Sequence, residues 1–152
     1  MRRHEKQVTG KIALEQIVWK GQVCYLGINN LPLPYLVPMN YGYADDTLYF
    51  HSAGQGHKME LLRKEPRASF CIVVDPGIVA GERACNWGSR FLSVMGHGRV
   101  RFIHEEAEKK VALQRIMSQY SDDTFSFPAE QVAATTVFCL HIEGMTGKQS
   151  RI

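Results

Sequence analysis

The stretch LYFHSAGQGHKMELL, residues 48–62, places two histidines, a serine and a lysine around a short glycine turn. Aromatic and apolar residues before His51 predict a strand that ends at His51 and Ser52. The apolar spacing after the turn predicts a helix over 57–64 that stops before Pro66. Gly54 and Gly56 let the backbone come close to a ligand. The first amides of a helix starting near His57 have no acceptor of their own and carry partial positive charge. Lys58 adds a full charge beside them, and such a place favours a phosphate. The spacing is not G-x-x-x-x-G-K-[ST], so a monophosphate or a flavin phosphate fits better than ATP. The plainer alternative is that Gly, Ser and His serve only the turn and the cap, with Lys58 and Arg63 solvated.

The elements that position this turn follow from the rest of the chain. TGKIALEQIVWKG predicts a helix capped by Thr9 and ended by Gly21, with Ile12, Ile17, Val18 and Trp19 on its apolar side. QVCYLGI predicts a strand, and Asn29-Asn30 a turn. LPLPYLVPMNYGYA carries three prolines, which exclude a helix; Pro38 implies an edge or irregular strand. A hairpin through ADD at 44–46 is expected to bring that strand alongside residues 47–52. RASFCIVVD reads as a strand broken by Pro76-Gly77, followed by a loop over 78–88. RFLSVMGHGRVRFI reads as a long strand bent at Gly96 and Gly98. The helix HEEAEKKVALQRIMSQY has Ala107, Val111, Ile116 and Met117 on one side and Glu105/Lys109 and Glu106/Lys110 as pairs. A polar loop with Pro128 leads to a last strand, TTVFCLHIEGMTGK, and a tail. About six strands and three helices, without a strand–helix alternation, predict a mainly antiparallel β-barrel with peripheral helices.

At 152 residues and 45% apolar composition, one domain spanning 1–152 is expected. A net charge of +3, partly in the opening MRRHEK, gives no basic stripe for nucleic acid. No apolar run approaches the roughly 18 residues of a membrane span, and no signal-peptide core opens the sequence. The four cysteines form no C-x-x-C pair, and Cys24, Cys71 and Cys139 lie in apolar runs. A reduced, cytoplasmic chain is expected. Six histidines without i,i+4 pairs give no metal site. His97, between two glycines, reads as a buried or bulge residue, and His141 as a buried structural one.

LPYLVPMNYGYADDTLYFHSAGQGHKMELLRKEPRASFCIV resembles the flavin-binding core of the pyridoxamine 5′-phosphate oxidase-like superfamily. Within it the chain is most similar to the 5-nitroimidazole-resistance (Nim) branch, through the VPMNY and YFHSAGQGHK segments and the closing HIEGMTGK. The resemblance implies an antiparallel split β-barrel that dimerises and binds FMN, or alternatively FAD, between subunits. It implies that Val37, Pro38, Met39 and Asn40 line the flavin ring and that His51 and Ser52, pointing to one locality, meet the ribityl chain or phosphate. His57 and Lys58 would hold the phosphate. His51 matches the histidine thought to work near the flavin in the Nim branch, which makes it the catalytic candidate. Relatives that oxidise pyridoxamine phosphate carry Ser-Arg-Lys at the turn. This chain has Gly-His-Lys and no arginine in VPMNY, which argues against that substrate.

The expected function is a flavin-dependent, two-electron reductase of small nitro compounds such as nitroimidazoles, conferring drug resistance, acting as a homodimer with an external electron donor. One alternative is a flavin- or haem-binding module without turnover, with His51, His57 and His97 as candidate haem ligands. Another is an interaction protein with an empty cleft.

Overall fold

The computed structural model describes residues 4–151; residues 1–3 of the basic opening and residue 152 lie outside the described residues. The strands are β1 (Gln7–Val8), β2 (Cys24–Ile28), β3 (Tyr35–Met39), β4 (Gly42–Ala44), β5 (Thr47–Ser52), β6 (Arg67–Val79), β7 (Gly88–Ile103) and β8 (Thr136–Ser150). The helices are α1 (Lys11–Lys20), α2 (His57–Lys64), α3 (Glu106–Met117) and α4 (Ala129–Ala134). All strand pairings are antiparallel, in the order β3–β2–β6–β7–β8–β5–β4, with β1 added on β8. β3 and β4 stand at opposite ends of that order, yet only Asn40 and Tyr41 separate them in the chain. The sheet must therefore coil until its two edges nearly meet. No ladder joins β3 to β4, so the barrel is split.

The barrel core follows period-two alternation. Ala68, Phe70, Ile72 and Val74 of β6 point inward against Leu26 and Ile28 of β2 and Leu48 and Phe50 of β5. Phe50 stacks on Phe138 with centroids 5.1 Å apart. Each of the Val, Leu, Ile and Phe side chains among them contributes roughly 1.5–3 kcal/mol by leaving water. α1 plugs one side with Ile17 and Val18, and α2 another with Met59 and Leu62. The apolar side expected of α1 is narrower than its sequence implies. Ile12 is 74% exposed, and Gly10, not Thr9, occupies the cap position without a side-chain bond.

Pro76-Gly77 does not end its strand. β6 shifts register between Val74 and Gly77, with Asp75 at φ 50°, and then pairs on with β7 as far as Val79. The bulge absorbs the proline that would otherwise interrupt the ladder. The expected 78–88 loop shrinks accordingly. α3 buries Ala112 and Ile116, while Ala107 and Val111 face solvent. The reason is a close approach: a Cβ on Gly42 would lie 2.2 Å from the Arg115 carbonyl oxygen. The α3 backbone thus lies directly on β4, beside a glycine that nothing larger can replace. Val137 and Cys139 of β8 face α3 in a second cluster, while Phe138 and Leu140 face the barrel. β8 is buried on both faces there, which accounts for its unbroken apolar run.

α4 and the far half of β8 exceed the expectation of a loop and a tail. Lys109, expected to pair with Glu105, donates instead to the carbonyls of Val132 and Thr135 at 3.2 and 2.8 Å, pinning α4 to α3. The Glu106–Lys110 pair forms at 2.6 Å.

Candidate functional site

β5 and α2 form with the boundaries their sequence predicts, and the turn between them is open. Gly56 sits at φ +116°, and its carbonyl accepts from the amides of Met59 and Glu60 at 2.9 and 3.2 Å. No side chain caps the helix. The amides of His57 and Lys58 therefore have no acceptor in their own helix. Lys58 is half-buried and forms no ion pair among the described residues. The His57 ring stands edge-on against Tyr35 with centroids 5.2 Å apart, which joins the start of α2 to the start of β3. Its Nδ1 lies 3.8 Å from Glu60 Oε2.

Arg63 is not merely solvated. Its Nη2 donates to the Gly54 carbonyl at 3.0 Å, and its guanidinium lies 5.5 Å from the Phe102 ring centroid. This side chain fixes the shape of the 53–56 turn from the far end of α2.

Strand periodicity separates two residues expected together. Leu48 and Phe50 point into the barrel, so Ser52 shares their side and His51 takes the opposite one, with Tyr49. His51 lines a cavity of about 200 Å³ under α3 and α4. Its walls include Leu113, Ile116 and Met117 from α3 and Phe127 and Val132 from the segment that follows.

β3 pairs with β2 alone, not with β5; the strand alongside β5 is β4, through Gly42↔Tyr49 and Tyr43↔Leu48. β3 is thus an edge strand, as Pro38 demands, with one row of backbone groups unpaired. Its side chains divide between two faces. Met39 is in the core, Val37 is half-buried against it, and Pro38 is exposed. Asn40 is exposed in the link across the split. That link is anchored by residues the sequence does not flag. The Tyr41 amide donates to the Tyr120 hydroxyl at 2.8 Å, which in turn donates to the Gln22 carbonyl at 2.8 Å. The Tyr41 hydroxyl donates to the Val18 carbonyl at 2.5 Å, and burial pushes its pKa up, so it remains a donor. Gln119 Nε2 binds the Trp19 and Gly21 carbonyls at 2.8 and 2.7 Å, which fixes the end of α3 on the end of α1.

Other candidates resolve simply. His97 is exposed at the register shift between His97 and Gly98: a bulge residue, not a buried one. His141 is also exposed, with Nδ1 3.0 Å from the Thr47 hydroxyl. Cys24 and Cys139 are buried, and burial pushes both thiols up. Among the described residues no cluster of three His, Cys, Asp or Glu could hold a metal. Among the described residues no helix is long and apolar enough to cross a membrane.

The start of α2 leaves the His57 and Lys58 amides without an acceptor in their own helix, and Gly56 takes the positive φ that the turn requires. The family model described as pyridoxamine 5′-phosphate oxidase matches residues 12–149.

The chain belongs to the pyridoxamine 5′-phosphate oxidase family.

Members and structural neighbours of this family share the split barrel. A protein described as a 5-nitroimidazole antibiotic resistance protein, from Bacteroides thetaiotaomicron, is 35% identical. The match covers 94% of this chain and 86% of that one, with a TM-score of 0.84. The flavocytochrome Anf3 from Azotobacter vinelandii shares the fold at TM-score 0.86 and 21% identity, over 100% of this chain and 72% of that one. An FAD- and haem-binding protein from Mycobacterium smegmatis does so at TM-score 0.86 and 18% identity, over 97% and 74%. No curated protein matches the chain. Family membership supports an enzyme of the pyridoxamine 5′-phosphate oxidase kind in general terms.

Proposed function

We propose that this chain is a flavin-dependent reductase of small nitro compounds, nitroimidazoles among them, and that it binds FMN in preference to FAD. The observation that carries the proposal is the uncapped start of α2, where the His57 and Lys58 amides have no acceptor in their own helix and the His57 ring stands against Tyr35 at the start of the edge strand β3. A single phosphate satisfies that donor set. The 35%-identical relative described as a nitroimidazole resistance protein supports the choice of acceptor. Val37, Pro38 and Asn40 flank the split and stand as the ring-side residues, with Met39 supporting them from the core. Ser52 and His57 complete the phosphate end.

When bound and reduced by an external donor, flavin would supply a hydride equivalent. A nitro group that takes up that hydride and one proton loses water and becomes a nitroso group. His51, on the outward face of β5, gives the proton. Lys58 holds the charge of the phosphate, and Arg63 holds the turn.

The protein acts as a two-fold dimer. On the outer face of the β3–β2–β6–β7 region, Leu36, Tyr25 and Met95 are 70%, 48% and 49% exposed around a trough that includes Gly27 and Ser69. An apolar sheet face of this kind needs a cover. Light scattering at micromolar concentration should return a dimer; a monomer with full flavin would contradict it.

A second reading is a flavin- or haem-binding module without turnover, favoured by the flavocytochrome and the FAD- and haem-binding neighbour. The absorption spectrum of the purified protein, followed by anaerobic single-turnover reduction of a nitroimidazole, separates the two. Flavin bands and nitro consumption are expected. A Soret band, or full flavin without nitro consumption, would reverse the order of the readings.

A further inference from the structure

The two edges of the split are joined by a piece of chain that has no ladder of its own. β3 ends at Met39 and β4 begins at Gly42, so Asn40 and Tyr41 cross between them without a strand partner. A backbone amide in that place still needs an acceptor. The register of β2 on β3 shows where one would ordinarily come from. Cys24 lies opposite Met39, and the same register continued by two residues sets Gln22 opposite Tyr41. In a hydrogen-bonded pair of that register the Tyr41 amide would donate to the Gln22 carbonyl.

A side chain stands between them instead. The Tyr120 hydroxyl accepts from the Tyr41 amide at 2.8 Å and donates to the Gln22 carbonyl at 2.8 Å. One phenolic oxygen thus takes the place of a ladder bond and holds the two strands apart by its own width. The wedge is fixed from behind. The Tyr120 amide donates to the Met117 carbonyl at 2.9 Å, and the neighbouring Gln119 Nε2 ties the end of α3 to the Trp19 and Gly21 carbonyls. The fully buried Tyr41 ring is held separately, through its hydroxyl on the Val18 carbonyl. Its backbone is left to Tyr120. Asn40, directly before that amide, is exposed, while Met39 closes the core beside it.

We propose that Tyr120 is a positioning residue for the flavin ring: its hydroxyl, set between the Tyr41 amide and the Gln22 carbonyl, keeps Asn40 out of the β2–β3 ladder and fixes the ring-side edge of the split. The proposal rests on the flavin reading for its ligand, but the wedge itself can be tested without flavin. Tyr120→Phe is the clean probe. The phenyl ring still stands in the gap, so the direct bond cannot close, and the amide and the carbonyl both lose their partner. The start of α2, on the far side of β3, is untouched.

The test compares wild type, Tyr120→Phe and Ile103→Val, the last a small core deletion at a buried β7 position. Amide exchange is followed by NMR on flavin-free protein, and lumiflavin (the ring without ribityl chain or phosphate) and FMN are titrated well below the melting temperature. In Tyr120→Phe the Tyr41 amide should exchange at least about tenfold faster. Lumiflavin and FMN should both bind about three- to tenfold more weakly, with the gap between them unchanged. Ile103→Val should lower the melting temperature and leave lumiflavin affinity at the wild-type value. Unchanged exchange at Tyr41 would overturn the wedge. Wild-type lumiflavin affinity in Tyr120→Phe, or an equal loss in Ile103→Val, would overturn the ring role alone and leave the flavin reading standing. A wild type that binds neither flavin would overturn the flavin reading and the ring role with it, whatever the exchange at Tyr41.

Discussion

The two flanks of β5 differ in chemistry. Beyond its last residue the chain opens into the glycine turn and α2, where amides and an ammonium are free and carboxylates are few. Under its outward face lies the α3–α4 cavity, where apolar walls adjoin the exposed His51 and Gln131. Each feature would be inert in the other place. An ammonium in the apolar chamber would pay desolvation without a partner, and a methionine at the turn would answer no phosphate. The difference teaches that one strand separates an amide-rich turn from an apolar cavity. His51 and Ser52, consecutive in sequence, belong one to each.

The largest expected effect breaks the chamber side alone. His51→Ala should slow single-turnover reduction of a nitroimidazole by roughly a hundredfold or more while FMN stays bound. Loss of FMN affinity with an unchanged chemical step would move His51 to the cofactor side and erase the division.

Tyr120→Phe probes the joint both flanks depend on. It leaves the Tyr41 amide at the split without its acceptor and frees the Gln22 carbonyl. A loss of about 1–2 kcal/mol is expected in urea unfolding. No change would mean that water replaces the hydroxyl at no cost and that the link is held by the Tyr41 side chain.

Arg63→Gln sharpens the turn side. Losing the bond to the Gly54 carbonyl and the contact over Phe102 should cost roughly 0.5–1 kcal/mol. The visible consequence is FMN affinity about two- to fivefold weaker, with riboflavin affinity unchanged. An equal loss for both ligands would show a general loosening and not a phosphate effect.

Much of this was legible before any coordinates. β5 and α2 carry their own punctuation: aromatic alternation, Asp45 and Asp46 before the strand, and Pro66 after the helix. The edge character of β3 follows from Pro38. Other features were written in residues far apart. β6 runs through Pro76-Gly77 because β7 offers a partner beyond the bulge, which local breaker signals cannot reveal. The end of β8 looks like a polar, glycine-containing tail until β7 pairs with it. α4 has six residues, too few for periodicity, although Pro128 before AEQVAA was a usable signal. Arg63 and Tyr120 act across the fold, and no spacing announces them. The assignment of His51 and Ser52 to one locality went against strand alternation itself, and the cavity found beside His51 is the consequence.

The account depends most on the phosphate being held at the start of α2. The direct measurement is fluorescence titration of the flavin-free protein with FMN and with riboflavin, for wild type and Lys58→Ala. A charge-assisted phosphate contact is worth roughly 1.5–3 kcal/mol. Wild type should therefore bind FMN about ten- to a hundredfold more tightly than riboflavin, and in Lys58→Ala most of that gap should close through loss of FMN affinity alone. A gap that survives the substitution, or equal binding of the two ligands by wild type, would contradict it.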